Sequence, residues 1–329
     1  MLTENLDEID KICEKWLLKG HQVNFDAIYL FCKDINFSSP INYFTERLEN
    51  IPYKFTKSET VSGSICFYGA VFTSLLNTGK IEEIEGLFTF ALCYMLIDHF
   101  LDDVNNSEVE KQEAMKDIYE FLKYGKESNN ILIVAVKERY LNLIRNNSNK
   151  DIRDSLLSLF ESEVTGHQIS RVSNKTREEY KQIAKEKGGK TASAIATIIG
   201  IEHDENSSHY ICGSLIQYVD DLLDIKDDER LNIYTLARYD YENSNLDKYI
   251  YEVMLEIDKL DTIYNLFKII LLTGIILSIH DLPHAVSSPL YDILCKYDPF
   301  DSSTSKYSLN EWFHSKLYEY IELNKMISY

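Results

Sequence analysis

This sequence predicts an all-α fold, a bundle of about ten or more helices in a single domain spanning residues 1–329, and three features carry that reading. Only 12 glycines and 5 prolines interrupt 329 residues, too few for a strand-and-turn architecture. Apolar residues recur three and four apart, the period of a helix with one buried face. Short Asn- and Ser-rich runs separate these segments, at Asn105–Ser107, Asn146–Asn149, Asn206–Ser208 and Ser302–Ser305.

Taken in order, the N-terminus Met1-Leu-Thr-Glu-Asn-Leu-Asp-Glu is acidic where a targeting peptide would be basic, and it reads as mature protein. Ile84, Leu87, Phe88, Ala91, Leu92, Met95 and Leu96 form the stripe of one helix. Leu156, Leu157, Leu159, Phe160 and Val164 form that of a second. From about His209 to Asp228 the apolar positions are Ile211, Leu215, Tyr218, Leu222 and Ile225, while Gln217, Asp220, Asp221, Asp224 and Asp228 share the other face. The run Ile269–Ile279 is shorter than the ~20 residues that span a bilayer and reads as a buried core helix.

The balance of 34 basic against 53 acidic groups gives a formal charge of −19. A nucleic-acid or anionic-membrane binder needs a basic face, so both classes are excluded, and an anionic substrate has to arrive with metal ions. The six cysteines (Cys13, Cys32, Cys66, Cys93, Cys212, Cys295) show neither a CxxC nor a Cys/His spacing. Zinc ligation and a disulfide framework are therefore not expected, and a reducing cytoplasm is the simplest location.

Two aspartate clusters carry the chemistry: Asp98-His-Phe-Leu-Asp102-Asp103 and Asp220-Asp221-Leu-Leu-Asp224-Ile-Lys-Asp227-Asp228. Carboxylates four apart lie about 6 Å from one another on a helix face, where they repel unless a cation holds them. Oxygen-only donors at this density suit Mg²⁺, and neither cluster has the Asp-x-Asp-x-Asp-Gly loop of a calcium hand. Two such helices facing each other would hold metal ions suited to diphosphate, and an apolar cavity beyond them would shield a carbocation from water.

The order of motifs resembles the class I isoprenoid synthases, the superfamily of trans-prenyl diphosphate synthases and class I terpene cyclases. Asp98-His-Phe-Leu-Asp102 is similar to the first Asp-Asp-x-x-Asp motif, with His99 at the second Asp and Asp103 as a stand-in carboxylate. Gly166-His-Gln168 resembles the Gly-Gln element. Tyr180 with Gly189-Lys190-Thr191-Ala192 resembles the segment whose lysine contacts diphosphate. Gln217-Tyr-Val-Asp220-Asp221-Leu-Leu-Asp224 matches the second motif without a gap.

This resemblance implies an isoprenoid-synthase bundle around a central cavity. Three Mg²⁺ ions, replaceable by Mn²⁺, would be held by Asp98, Asp102 and Asp103 and by Asp220, Asp221, Asp224 and Asp228. Asp220, Asp224 and Asp228 also have the i, i+4, i+8 spacing of the cyclase metal triad. Lys190, Arg171, Gln217 and Lys226 are the implied diphosphate contacts, with Arg177 and Arg230 competing for the role of Arg171. Phe90 and Tyr94, two turns and one turn before Asp98, are the implied cavity lining.

Chain-elongating relatives carry an early Gly-Lys-Arg-type segment and an arginine pair after the first aspartate motif. Here the early segment reads Ile51-Pro-Tyr-Lys-Phe-Thr-Lys57, and no arginine occurs between Arg47 and Arg139. The second diphosphate of an elongation reaction has no home, which favours a cyclase acting on farnesyl or geranylgeranyl diphosphate, with released diphosphate as the final proton acceptor. The alternatives are a prenyl diphosphate synthase, a prenyltransferase, or a silent subunit of one. The resemblance leaves room for a homodimer.

Overall fold

A computed structural model describes residues 2–20, 38–78, 83–103, 105–146, 150–261 and 265–297. These residues form helices and no strand, which bears out the all-α expectation. In chain order the helices are α1 (Leu2–Gly20), α2 (Ser38–Leu48), α3 (Lys57–Thr78), α4 (Ile84–Asp102), α5 (Glu108–Tyr124), α6 (Ile131–Asn146) and α7 (Lys150–Ser170). They continue with α8 (Arg177–Ile198), α9 (Ser208–Leu223), α10 (Ile225–Leu231), α11 (Leu236–Glu242), α12 (Leu246–Asp258), α13 (Asn265–Asp281) and α14 (Ser288–Lys296). The expected loop at 302–305 lies outside the described residues, as do positions 147–149 of the loop expected at 146–149.

Local chemistry sets several boundaries. Ser107 and Glu110 form a reciprocal capping box at the start of α5, and Gly125 ends that helix at φ 67°, a left-handed position that favours glycine. Thr176 and Glu179 satisfy each other's backbone N–H groups at the start of α8, at 2.8 and 3.3 Å. The hydroxyl of Thr235 accepts from Arg238 N at 3.3 Å and caps α11.

The contacts cluster into two compact units. One contains residues 36–168 and 189–211. In it α3 packs on α2 and α4, and α4 on α6. Phe44, Phe67 and Phe88 are fully buried, with the Phe44 ring 5.5 Å from Phe67 and 5.1 Å from Phe88. Each such side chain contributes ~1.5–3 kcal/mol by leaving water. Among the described residues only α4 is long and apolar enough to cross a membrane by length and composition. Its buried residues run from Gly86 to Leu101, as in a core helix, so there is no clear membrane span among the described helices.

The other unit contains residues 1–35, 169–188 and 212–329. The expected core helix at 269–279 is α13, with Ile269, Leu272, Ile275, Ile276 and Ile279 buried. α1 packs against α12, α13 and α14, and its Ile9, Ile12 and Trp16 are buried. The Trp16 indole also donates to Asp258 Oδ1 at 2.9 Å. Gly188 meets Gly213 so closely that a Cβ at Gly188 would lie 2.2 Å from the Gly213 carbonyl oxygen. Ser214 Oγ donates to Lys185 O at 2.8 Å and Tyr218 Oη to Lys181 O at 3.3 Å, so this part of α8 lies along α9.

Candidate metal and diphosphate site

The second aspartate cluster is built on α9 and α10. Sequence spacing predicts one helix from His209 to Asp228, whereas the structure ends α9 at Leu223 and restarts at Ile225, with Asp224 at φ −93°, ψ 4°. The hydrogen-bond ladder nevertheless continues. Asp224 N donates to Asp220 O at 3.0 Å and Asp228 N to Asp224 O at 2.8 Å. Asp220, Asp224 and Asp228 therefore still follow one another a turn apart.

Their environments differ in a way that matters for charge. Asp220 is exposed and Asp224 half-buried, whereas Asp221 and Asp228 are 6% and 7% exposed. Burial pushes the Asp224 carboxyl up to about 9, and the charges of Asp220, Asp228, Asp221 and Asp227 add to the shift. Burial raises Asp228 to about 7 despite the hydrogen bond from Thr235, and Asp220 raises it further. Asp221 is held well above the usual carboxylate range by burial and then by Asp228. Such a group of acids ionises together when a cation arrives.

The polar neighbours orient the two buried acids. Gln217 Nε2 donates to Asp221 Oδ1 at 2.8 Å, and Thr235 Oγ1 donates to Asp228 Oδ2 at 3.0 Å. Arg238 donates to the backbone carbonyls of Asp228 at 3.0 Å and Ile233 at 2.8 Å, holding the turn between α10 and α11. Lys187 lowers both Asp221 and Asp228 by its positive charge. Thr235, Arg238 and Lys187 were not singled out by motif reading. The one sequence signal was Thr235 itself, a good cap residue just before a helix.

The basic residues expected around diphosphate have separate placements. Arg171 Nη1 donates to Leu231 O at 2.8 Å, and its buried Nε has no hydrogen-bond partner among the described residues. Arg177 is bound to Asp240 through Nε at 2.9 Å and to Glu252 at 2.9 Å, so it is committed to an internal ion pair. Arg230 pairs with Asp227 at 2.9 Å in an exposed i, i+3 pair. Lys226 is exposed and donates to Asp281 O, at the end of α13, at 2.5 Å. Lys190 is half-buried on the part of α8 that belongs to the α2–α7 unit.

The first aspartate cluster ends α4. Asp98 is half-buried, and Asp102 and Asp103 are exposed. Asp103 has left the helix at φ −63°, ψ 116°, and its Oδ1 accepts from Asn105 N and Nδ2 at 2.8 and 2.9 Å, forming an Asx turn. Buried Glu59 accepts from Tyr53 Oη at 2.8 Å and Thr56 N at 2.6 Å. Phe90 is fully buried and Tyr94 half-buried, their rings stacked at 6.0 Å and 23°. Both line a cavity of about 50 Å³ with Ile97, Phe121, Tyr140 and Phe160.

The donor chemistry of the second cluster, carboxylate oxygens without thiols or imidazoles, fits a hard divalent cation, while the first cluster sets the His99 imidazole among its carboxylates. Among the described residues no three His, Cys, Asp or Glu side chains are already gathered closely enough to chelate one. Comparison of the chain with family models, curated proteins and solved structures returns no match.

Proposed function

We propose that this chain is a Mg²⁺-dependent class I terpene cyclase that ionises a linear prenyl diphosphate of farnesyl or geranylgeranyl length. The observation that carries the reading is the Asp220–Asp228 cluster, in which two buried carboxyls, each held by a neutral donor, lie beside two others that push their protons on. Asp98 and Asp102, with Asp103 beside them, and Asp220, Asp221, Asp224 and Asp228 are the residues that hold metal. Bound Mg²⁺ supplies neutralisation of the departing diphosphate.

Gln217 and Thr235 donate to Asp221 and Asp228 and fix the orientation of their carboxyls. Arg171 offers a guanidinium already anchored to the α10–α11 turn, with Lys190 and Lys226 as further cations for the anion. The aromatic cavity at Phe90 and Tyr94 takes the end of the hydrocarbon chain and excludes water from it. Exposed Lys54 and Lys57 stand where a second diphosphate site would need a formed basic segment. The reading places the protein in the cytoplasm.

The experiment is incubation of the purified chain with C10, C15 and C20 diphosphates and Mg²⁺, with and without isopentenyl diphosphate, and identification of the organic products. Cyclic or linear terpenes formed without isopentenyl diphosphate support the cyclase. Homologues longer by C5 formed only with it would replace the cyclase by a prenyl diphosphate synthase.

A further inference from the structure

One carboxyl in the apolar cavity is outside the metal and diphosphate sites. Glu163, on α7, is 7% exposed and lines the same cavity as Phe90, Tyr94, Phe121 and Phe160. It is the one formally charged side chain in that lining, and a carboxyl among apolar walls costs stability that a packing residue would not. The same lining includes Ile97, the residue before Asp98 in the first aspartate cluster. Tyr94 is one turn from Asp98 on α4, and the Cys66 thiol of α3 is pushed up by burial and then by the charges of Asp98 and Glu163.

We propose that the Glu163 carboxylate is the base that ends the reaction, taking a proton from the end of the carbocation that this cavity takes. The C–H bond next to the cationic carbon breaks, and its electron pair becomes the C=C bond of the product. The proton goes to a Glu163 Oε, from which it is lost to solvent when the product leaves. A fixed base on one wall removes a proton from one carbon, so the position of Glu163 selects which alkene forms. This inference rests on the cyclase reading above, and it replaces released diphosphate with a side chain as the final acceptor.

The test is Glu163→Gln, which keeps the shape and removes the base, with Glu163→Asp as a second variant that keeps a shorter carboxylate. Products are quantified per inorganic diphosphate released, so that ionisation and termination are read separately. The expected result is a fall of about tenfold or more in the share of the parent alkene for Glu163→Gln. Isomeric alkenes or the alcohol from water capture take its place, and Glu163→Asp restores part of the parent share. An unchanged product split in folded Glu163→Gln, as judged by melting temperature, overturns Glu163 as the base and leaves the cyclase reading standing. No metal-dependent diphosphate release from the parent with any of the C10 to C20 substrates overturns the cyclase reading, and this proposal with it.

Discussion

Thr235 Oγ1 donates to Asp228 Oδ2 at 3.0 Å while accepting from Arg238 N at 3.3 Å, so one hydroxyl both caps α11 and fixes the last acid of the cluster. Thr235→Val removes both bonds with little change of shape. Loss of the cap costs about 1 kcal/mol. Loss of the donor raises Asp228 further from its value of about 7, so metal binding should begin at higher pH in the variant. Mg²⁺ titrations across pH check this, and an unchanged pH profile would show that the hydroxyl serves the helix alone.

Asp221, Asp224 and Asp228 have carboxyls raised above the unfolded value of 3.8, so the folded protein holds protons there that the unfolded chain has already released. Their contribution is fully present below about pH 4 and is lost as pH rises through about 7 and then about 9. The depressed acids Glu59 and Asp258 act in the opposite sense, but at lower pH. In EDTA the melting temperature should therefore fall from pH 5 toward pH 9, and excess Mg²⁺ should flatten that fall by binding the folded state. A melting temperature that rises over this range in EDTA would refute the charge assignment.

Much of the helix layout could be read from the sequence, because α4, α7 and α9 bury most of the stripe that the spacing marks and α13 buries most of its apolar run. The break at Asp224 could not, since the i, i+4 pattern passes through it with its hydrogen bonds intact. Nor could the departure of Asp103 from the helix, because the adjacent acids Asp102 and Asp103 carry no signal of where the backbone turns. Lys187 and Glu163 were also invisible to motif reading. A lysine and a glutamate inside charged or apolar helices look ordinary until the neighbouring elements are in place.

Tyr94→Ala tests the cavity. Removing the ring that stacks on Phe90 should open room beyond Asp98 and shift preference from the C15 toward the C20 diphosphate, with Mg²⁺ dependence retained. If Tyr94 serves only packing, truncation costs ~3–5 kcal/mol of stability and leaves the C15-to-C20 rate ratio unchanged. Measuring the melting temperature and the rate ratio on the same preparation separates the two outcomes.

Lys54 and Lys57 are exposed, with Lys57 opening α3, and isopentenyl diphosphate is expected to leave the product length unchanged. Competition kinetics with isopentenyl diphosphate as an inhibitor read the same point. Binding strong enough to halve turnover at micromolar concentration would reveal a second diphosphate site and contradict this expectation.

The most direct measurement of the central claim is Mg²⁺-dependent release of inorganic diphosphate from farnesyl and geranylgeranyl diphosphate by the parent and by Asp224→Ala. The account predicts release by the parent that is abolished by EDTA, and a fall of about 100-fold or more in the variant, the scale of several kcal/mol of lost leaving-group stabilisation. The variant's metal-free melting temperature should equal or exceed the parent's, because the cost of burying an acid that the folded protein must keep protonated is gone. Release by Asp224→Ala within about threefold of the parent at saturating Mg²⁺, a difference of under 1 kcal/mol, would contradict the metal site at its centre.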